Sequence, residues 1–403
     1  DVCSSDLAMK KFIVILLSNF IFTISFAQTD AAYRIFGEIM TVENKVYKGF
    51  ITWNGNKNYW IDFFEASKIE NPYRSYFKRS DGLVFRANDR EFITPPTHNF
   101  CCRFGNIKSI RPTDVNEIVL QLKNGDRLTL VKGYSSDINT HIRITTPTET
   151  TSIKWDHISE IHFMGADKEA IAPETNQVAG TVKSTQGIYK GIIYWNSQQR
   201  QSQEKMNQIN IFLNKIKKLY AFKGKNGNHT FGLIPLVSPN DDPADAQINV
   251  LYPVENITIN MPNIGSVCVS RAQFEELTII PISELNLLSY DDFPSPQAIK
   301  GEVVTRSGQT FAGNLAYDLD ESYEFEVLDG KNNTISYRIP FRYIRSIAPK
   351  NYKYSFITLR NNSQLSLGET CDVNQDNNGI IIFRNGQNPV YILWSEIKEI
   401  NLK

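Results

Sequence analysis

The side chains able to do chemistry in this chain are few and scattered. Five histidines, His98, His141, His157, His162 and His229, form no pair at helical spacing around a carboxylate, the arrangement a zinc hydrolase needs. His157 and His162 flank Glu160 but straddle a turn, and His157 reads as a solvated turn residue. No serine sits in a Gly-x-Ser-x-Gly elbow, and no glycine-rich loop follows a strand to cradle phosphate. An Asp-x-Asn spacing occurs twice, at Asp137 with Asn139 and at Asp372 with Asn374. Oxygen donors so placed can coordinate calcium. Asp and Asn more commonly bond backbone amides in their own turn, and local capping is the reading adopted for both. The acidic loop at Asp241, Asp242 and Asp245 is read in the same way. The expectation is no catalytic residue, no metal and no cofactor.

Binding chemistry has more to build on. Tyr59, Trp60, Phe64, Tyr73 and Tyr76 crowd one stretch, with Phe77 after them and Arg74, Lys78 and Arg79 beside them. Rings that face water would form a platform for sugar rings or a peptide; rings that face inward would cover a core. A second departure from the surrounding pattern is the stretch 197–265. Apolar runs at 209–213 and 216–222 there are mixed with Lys215, Lys217, Lys218, Lys223 and Lys225, as an extra hairpin or helix used against a partner would be.

The ends and the charge narrow the setting. Residues 1–8 read as translated sequencing adapter, an artefact, which makes Met9 the natural start. From there 9–27 reads as a signal peptide: Lys10 and Lys11, an apolar stretch over 12–26, and a small residue, Ala27, at the cut. That predicts an exported protein of the periplasm or cell surface, with no transmembrane segment after cleavage. Lysine plus arginine balances aspartate plus glutamate, 43 against 43. A neutral chain has no global field to draw in nucleic acid, and export argues the same way. Cys101, Cys102, Cys268 and Cys371 remain after the cut. The compartment permits disulfides, but buried free thiols are the expectation.

The elements that must position these residues recur. An aromatic, two residues, Ile or Leu, two residues and Ile occur five times. The copies begin at Phe104, Trp155, Phe274, Phe341 and Trp394. Residues three apart stack on one side of a 3₁₀ turn, so each copy predicts one helical turn that points two side chains into a core and opens a closing strand. Three hairpins share a second register. Tyr47, Gly49, Ile51 and Trp53 match Tyr189, Gly191, Ile193 and Trp195, and then Phe311, Gly313, Leu315 and Tyr317. Glycine inside a strand costs stability, so its return at one register implies a bend or a close approach. Two simpler hairpins turn at Asn124 and Gly125 and at Asn361 and Asn362.

Hairpin, strand pair, one helical turn, closing strand: this order resembles the SH3-like and Sm-like small β-barrels. The resemblance implies an all-β chain of about five tandem barrels, as in secreted bacterial proteins of unknown function. The modules would run 33–112, 115–163, 178–281, 299–348 and 355–403. That groups them as a pair over 33–163, a single module over 178–281 with the insertion 197–265, and a pair over 299–403. Linkers at 165–177 and 281–297 would separate the groups. Extracellular domains of this shape bind, and the expected function is a non-enzymatic binding or scaffold protein of the cell envelope. Its ligand would be protein, peptide or glycan. The alternative is a hydrolase or lyase of envelope polymers with its site between modules.

Overall fold

Alternating side chains and tight turns make the hairpins, and the ladders then decide how the hairpins combine. The computed structural model describes residues 30–69, 71–76, 84–87, 90–93, 98–133, 136–175, 177–195, 216–223, 229–235, 247–249 and 256–403. The signal-peptide reading, Phe77 and the acidic loop 241–245 lie outside them. Among the described residues the regular elements are strands and 3₁₀ turns, and no helix is long and apolar enough to cross a membrane. All but two of the described strands form two large sheets, of ten and eighteen strands, in which every pairing is antiparallel; Val84–Ala87 and Arg90–Ile93 pair only with each other.

Each predicted long hairpin forms, and its glycines face one another. Phe36–Thr41 pairs with Val46–Trp53 at Gly37 opposite Gly49. Val178–Ser184 pairs with Gly187–Trp195 at Gly180 opposite Gly191. Lys300–Thr305 pairs with Thr310–Tyr317 at Gly301 opposite Gly313. A Cβ on Gly49 would overlap the carbonyl oxygen of Thr145, and one on Gly191 that of Asn260, both on the neighbouring strand segment. Glycine is there because a third segment crosses against the strand at backbone distance. Gly191→Val is therefore expected to lower the melting temperature of the whole chain, by overpacking worth about 1–3 kcal/mol or more. An unchanged melt would remove the close-approach explanation.

The third strand added to each hairpin comes from an unexpected place. In the first unit Ile142–Thr145 adds to Val46–Trp53, Thr150–Ile153 adds to Ile142–Thr145, and Ile158–Phe163 returns to Phe36–Thr41. In the second unit Glu117–Leu122 and Arg127–Val131 make the hairpin, Phe63–Lys68 and His98–Arg103 extend it, and Ile107–Asp114 returns to Glu117–Leu122. Thus 33–112 and 115–163 do not each make one unit. Each chain segment starts one unit and finishes the other. The C-terminal pair repeats the exchange. Ile380–Phe383, Val390–Ile392 and Ile397–Leu402 complete the hairpin begun at Lys300–Thr305. Val327–Asn332, Ile335–Pro340 and Ile344–Pro349 complete the one made by Tyr354–Leu359 and Gln364–Gly368. The middle unit is continuous apart from its insertion: Asn256–Met261, Gly265–Ser270 and Phe274–Ile280 follow its hairpin. Inserted strands Ile216–Lys223, His229–Pro235 and Gln247–Asn249 attach to Phe274–Ile280.

The sheets are open, which corrects the expectation of closed barrels. In each pair, the free edge of one closing strand is taken by the other: Ile158–Phe163 bonds to Ile107–Asp114, and Ile344–Pro349 to Ile397–Leu402. The backbone groups that could have closed a barrel are used to join two units. Gly265–Ser270 likewise bonds to Ile335–Pro340 and ties the middle unit to the last pair.

Four of the five recurring motifs open with a 3₁₀ turn, at Phe104–Asn106, Trp155–His157, Phe341–Tyr343 and Trp394–Glu396. The fifth starts directly as strand at Phe274. All five aromatics are buried, so the motif does anchor each core. The two predicted linkers are instead part of the packing. Leu285, Leu287, Tyr290 and Phe293 are buried in the core of the first pair, and the Tyr290 hydroxyl donates to the Ile107 carbonyl at 2.9 Å. The Phe293 ring covers Gly105, where a Cβ would overlap it. In the other segment Arg34 donates to the Pro173 carbonyl at 3.2 Å, and Asn58 to Gln177 at 2.7 Å.

Candidate functional site

Of the two readings of the aromatic stretch, ligand platform or core cover, its first three rings take the second. Tyr59, Trp60 and Phe64 are 2%, 0% and 0% exposed, so they present no face to a ligand. Tyr73 and Tyr76 are half-buried against Phe383 of the last pair, with ring centroids 5.9 and 6.5 Å away. A carboxylate folds this stretch inward. Asp62 accepts the backbone N–H groups of Asn58 at 2.7 Å and Tyr59 at 2.9 Å on one oxygen. Its other oxygen accepts the Tyr194 hydroxyl, and Asn260 at 3.0 Å, both from the middle unit. The last pair repeats the device with Glu326, which accepts Ser322 and Tyr323 N–H at 2.7 and 3.0 Å. Its second oxygen lies 2.6 Å from the Lys68 ammonium of the first pair. Arg103 adds another tie, donating to the carbonyls of Met261 at 2.6 Å and Pro262 at 2.9 Å. Arg338 reaches back to Glu65 and, at 3.3 Å, to the Cys101 sulfur.

The two Asp-x-Asn sites cap backbone, but across the exchanged units and not within their own turns. Asp137 accepts the N–H of Glu65 at 2.8 Å, and Asp372 accepts that of Asp329 at 2.6 Å. Their carbonyls accept the Trp53 indole N–H and the Tyr317 hydroxyl. Asn374 does cap locally, accepting the Asp376 N–H at 2.7 Å. Asn139 takes a positive φ of 54°.

Around this shared frame the two pairs differ in charge. At the end of the first hairpin Trp53 bridges Lys57, as Tyr317 bridges Glu321 in the last pair. In the first pair Lys57 lies 2.6 Å from Asp137, with Asn54 and Ser136 close in sequence to these partners. In the last pair Asp318, Glu321 and Cys371 stand at those three places around Asp372. Burial, then the charge of Asp329, pushes the Asp372 carboxyl up to about 7. Burial also raises Asp318 and Glu321 well above the usual range, helped respectively by Asp372 and Asp320. The sequence reading missed this cluster. Its signal was legible four residues past Trp53 and Tyr317, where a lysine in one repeat is a glutamate in the other.

Beside the cluster lies a groove of about 320 Å³. Arg306, Tyr352, Gln375, Asn377, Asn378 and Trp394 are among its lining side chains. Tyr352 is 60% exposed. Asn377 donates to the Asp372 carbonyl at 3.1 Å and accepts the Gly379 N–H at 2.9 Å, so it is fixed. The side-chain oxygen of Asn378 is buried and has no hydrogen-bond partner among the described residues. Arg306 is the one charged side chain in the lining. A second hollow of similar volume lies at the strand ends near Asp114, Asn116 and Lys132.

The remaining candidates are dispersed. His157 is exposed, 3.4 Å from Glu43, and His162 is 3.2 Å from Glu160. All four described cysteines are free. Cys101 and Cys102 are both buried, because one faces its own core and the other the neighbouring pair; Cys371 is exposed. Comparison with protein-family models, with curated proteins and with solved structures finds no match to this chain.

Proposed function

We propose that the protein is an exported, non-enzymatic binding protein of the cell envelope whose five small β units form one stiff scaffold. The carrying observation is the groove of the last pair. An exposed tyrosine ring stands beside amide side chains, Asn377 among them fixed, and a buried acceptor that lacks a donor among the described residues. Ring faces and amides suit the apolar faces and hydroxyls of a sugar, which favours envelope glycan among the possible ligands. Among the described residues that line the groove, Arg306 is the one charged side chain, which suits a binding surface; the alternative, a hydrolase or lyase, would draw on the neighbouring carboxyls of Asp318, Glu321 and Asp372. The unit order of hairpin, two strands, turn and returning strand supports kinship with SH3-like and Sm-like barrels, opened here by sharing their edges.

Tyr352→Ala tests the reading. Titration of soluble wall-glycan fragments into the mature chain is expected to show binding that falls at least about tenfold in the variant, or about 1.4 kcal/mol. The melting temperature should be unchanged, since Tyr352 supports no core. Equal affinity in both proteins would displace the ligand from this groove.

A further inference from the structure

The two pairs are internal copies, and the differences between them converge on one spot. Trp53 and Tyr317 end equivalent strands and make the same backbone bridge four residues on. Asp137 and Asp372 cap equivalent strands. In the first copy the Asp137 carboxylate is answered by the Lys57 ammonium, with Asn54 next to Trp53 and Ser136 next to Asp137. In the last copy the ammonium is replaced by Glu321, the asparagine by Asp318 and the serine by Cys371. Each change removes a positive or neutral group and supplies a metal-ligating one. The ammonium that reaches this end, Lys68, is bonded to Asp320 and Glu326.

The geometry points to a divalent transition-metal site of the zinc class at Asp318, Cys371 and Asp372, with Glu321 beside it. One ligand atom from each of the first three lies within 4.8 Å of the others. The Cys371 sulfur is 3.4 Å from an Asp372 oxygen. Sulfur and oxygen on one tetrahedral zinc ion, at about 2.3 and 2.0 Å from it, lie about 3.5 Å apart. An independent sign is Glu321. One of its carboxylate oxygens is sealed from solvent and has no hydrogen-bond partner among the described residues, although Asp318 and Asp372 are close enough to act on its charge. A cation held by the three ligands, where the first copy keeps an ammonium, would offset the negative charge gathered beside that carboxylate. Thiolate with carboxylates selects zinc-like ions over calcium, which takes oxygen alone. Binding forms the metal–sulfur and metal–oxygen bonds and releases to solvent the thiol proton and any proton held by the two ligating carboxyls. The exposure of Cys371 supplies an entry path.

The test uses the reduced, metal-stripped mature chain. Zn²⁺ is expected to bind with one-to-one stoichiometry and raise the melting temperature, and Co²⁺ to give a sulfur-to-metal charge-transfer band. Cys371→Ser should abolish the band and weaken Zn²⁺ at least about tenfold. Glu321→Lys, which restores the arrangement of the first copy, should fold, melt at or above the metal-free wild type, and lose metal binding. Any of three results would overturn the site: no stoichiometric binding, Co²⁺ bound without the band, or Ca²⁺ stabilising the chain where Zn²⁺ does not. Equal Zn²⁺ affinity in wild type, C371S and E321K would do so as well.

Discussion

Asp62→Ala is expected to be among the most damaging single changes in this chain, costing about 3–5 kcal/mol. Four donors converge on that one carboxylate: two backbone N–H groups of its own turn, the Tyr194 hydroxyl and the Asn260 amide. Removing it leaves all four buried without an acceptor, and each orphaned group costs about 1–3 kcal/mol in the interior. The loss falls on two units at once, since Tyr194 and Asn260 belong to the middle unit. Burial raises the Asp62 carboxyl, and its hydrogen bonds, the Tyr194 one foremost, draw it back down. Tyr194→Phe removes a single donor and should cost only about 1 kcal/mol. Chemical denaturation of the two variants separates these magnitudes. Comparable small losses would mean that Asp62 is no junction between units.

Trp53→Ala should cost about 3–5 kcal/mol by a different route, a cavity that its neighbours cannot fill. The indole is fully buried and sits among Phe64, Phe104, Trp155 and Phe163, with ring centroids 5.7, 5.3, 6.2 and 6.3 Å away. These rings come from both exchanged units, so the damage should spread to both. Amide hydrogen exchange would show it as lost protection in Phe63–Lys68 and in Ile142–Thr145 together. Protection lost in one set alone would contradict the shared core. Trp53→Tyr should recover part of the stability, because Tyr317 fills the equivalent place and still donates to the carbonyl of Asp372.

What the sequence disclosed was whatever depends on neighbours along the chain. The hairpins at Gly37, Gly180 and Gly301 and the buried aromatics of the five motifs were legible, because period-two patterning, turn residues and a three-residue step are local. The exchange was not. Phe63–Lys68 and Ile142–Thr145 are both short strands with mixed faces, and nothing in either says which hairpin it will extend. Closure was misread for the same reason: the far edge of Ile158–Phe163 meets a partner about fifty residues away in sequence. The aromatic run at Tyr59 was ambiguous because a ring pattern reads alike whether it lines a surface or a core. Asp62, which settled the matter, looked like any loop carboxylate. The segment 281–297, with its prolines and acids, read as a linker, yet Tyr290 and Phe293 are core residues.

The interleaving of the paired units governs how this protein can be made and altered. A fragment ending near residue 112 carries half of each barrel-sized body and can complete neither. As the polypeptide emerges, its opening strands must wait for a stretch delivered some hundred positions later. Gene shuffling can add or drop such bodies only two at a time, and a single proteolytic nick between them would leave the pieces clasped.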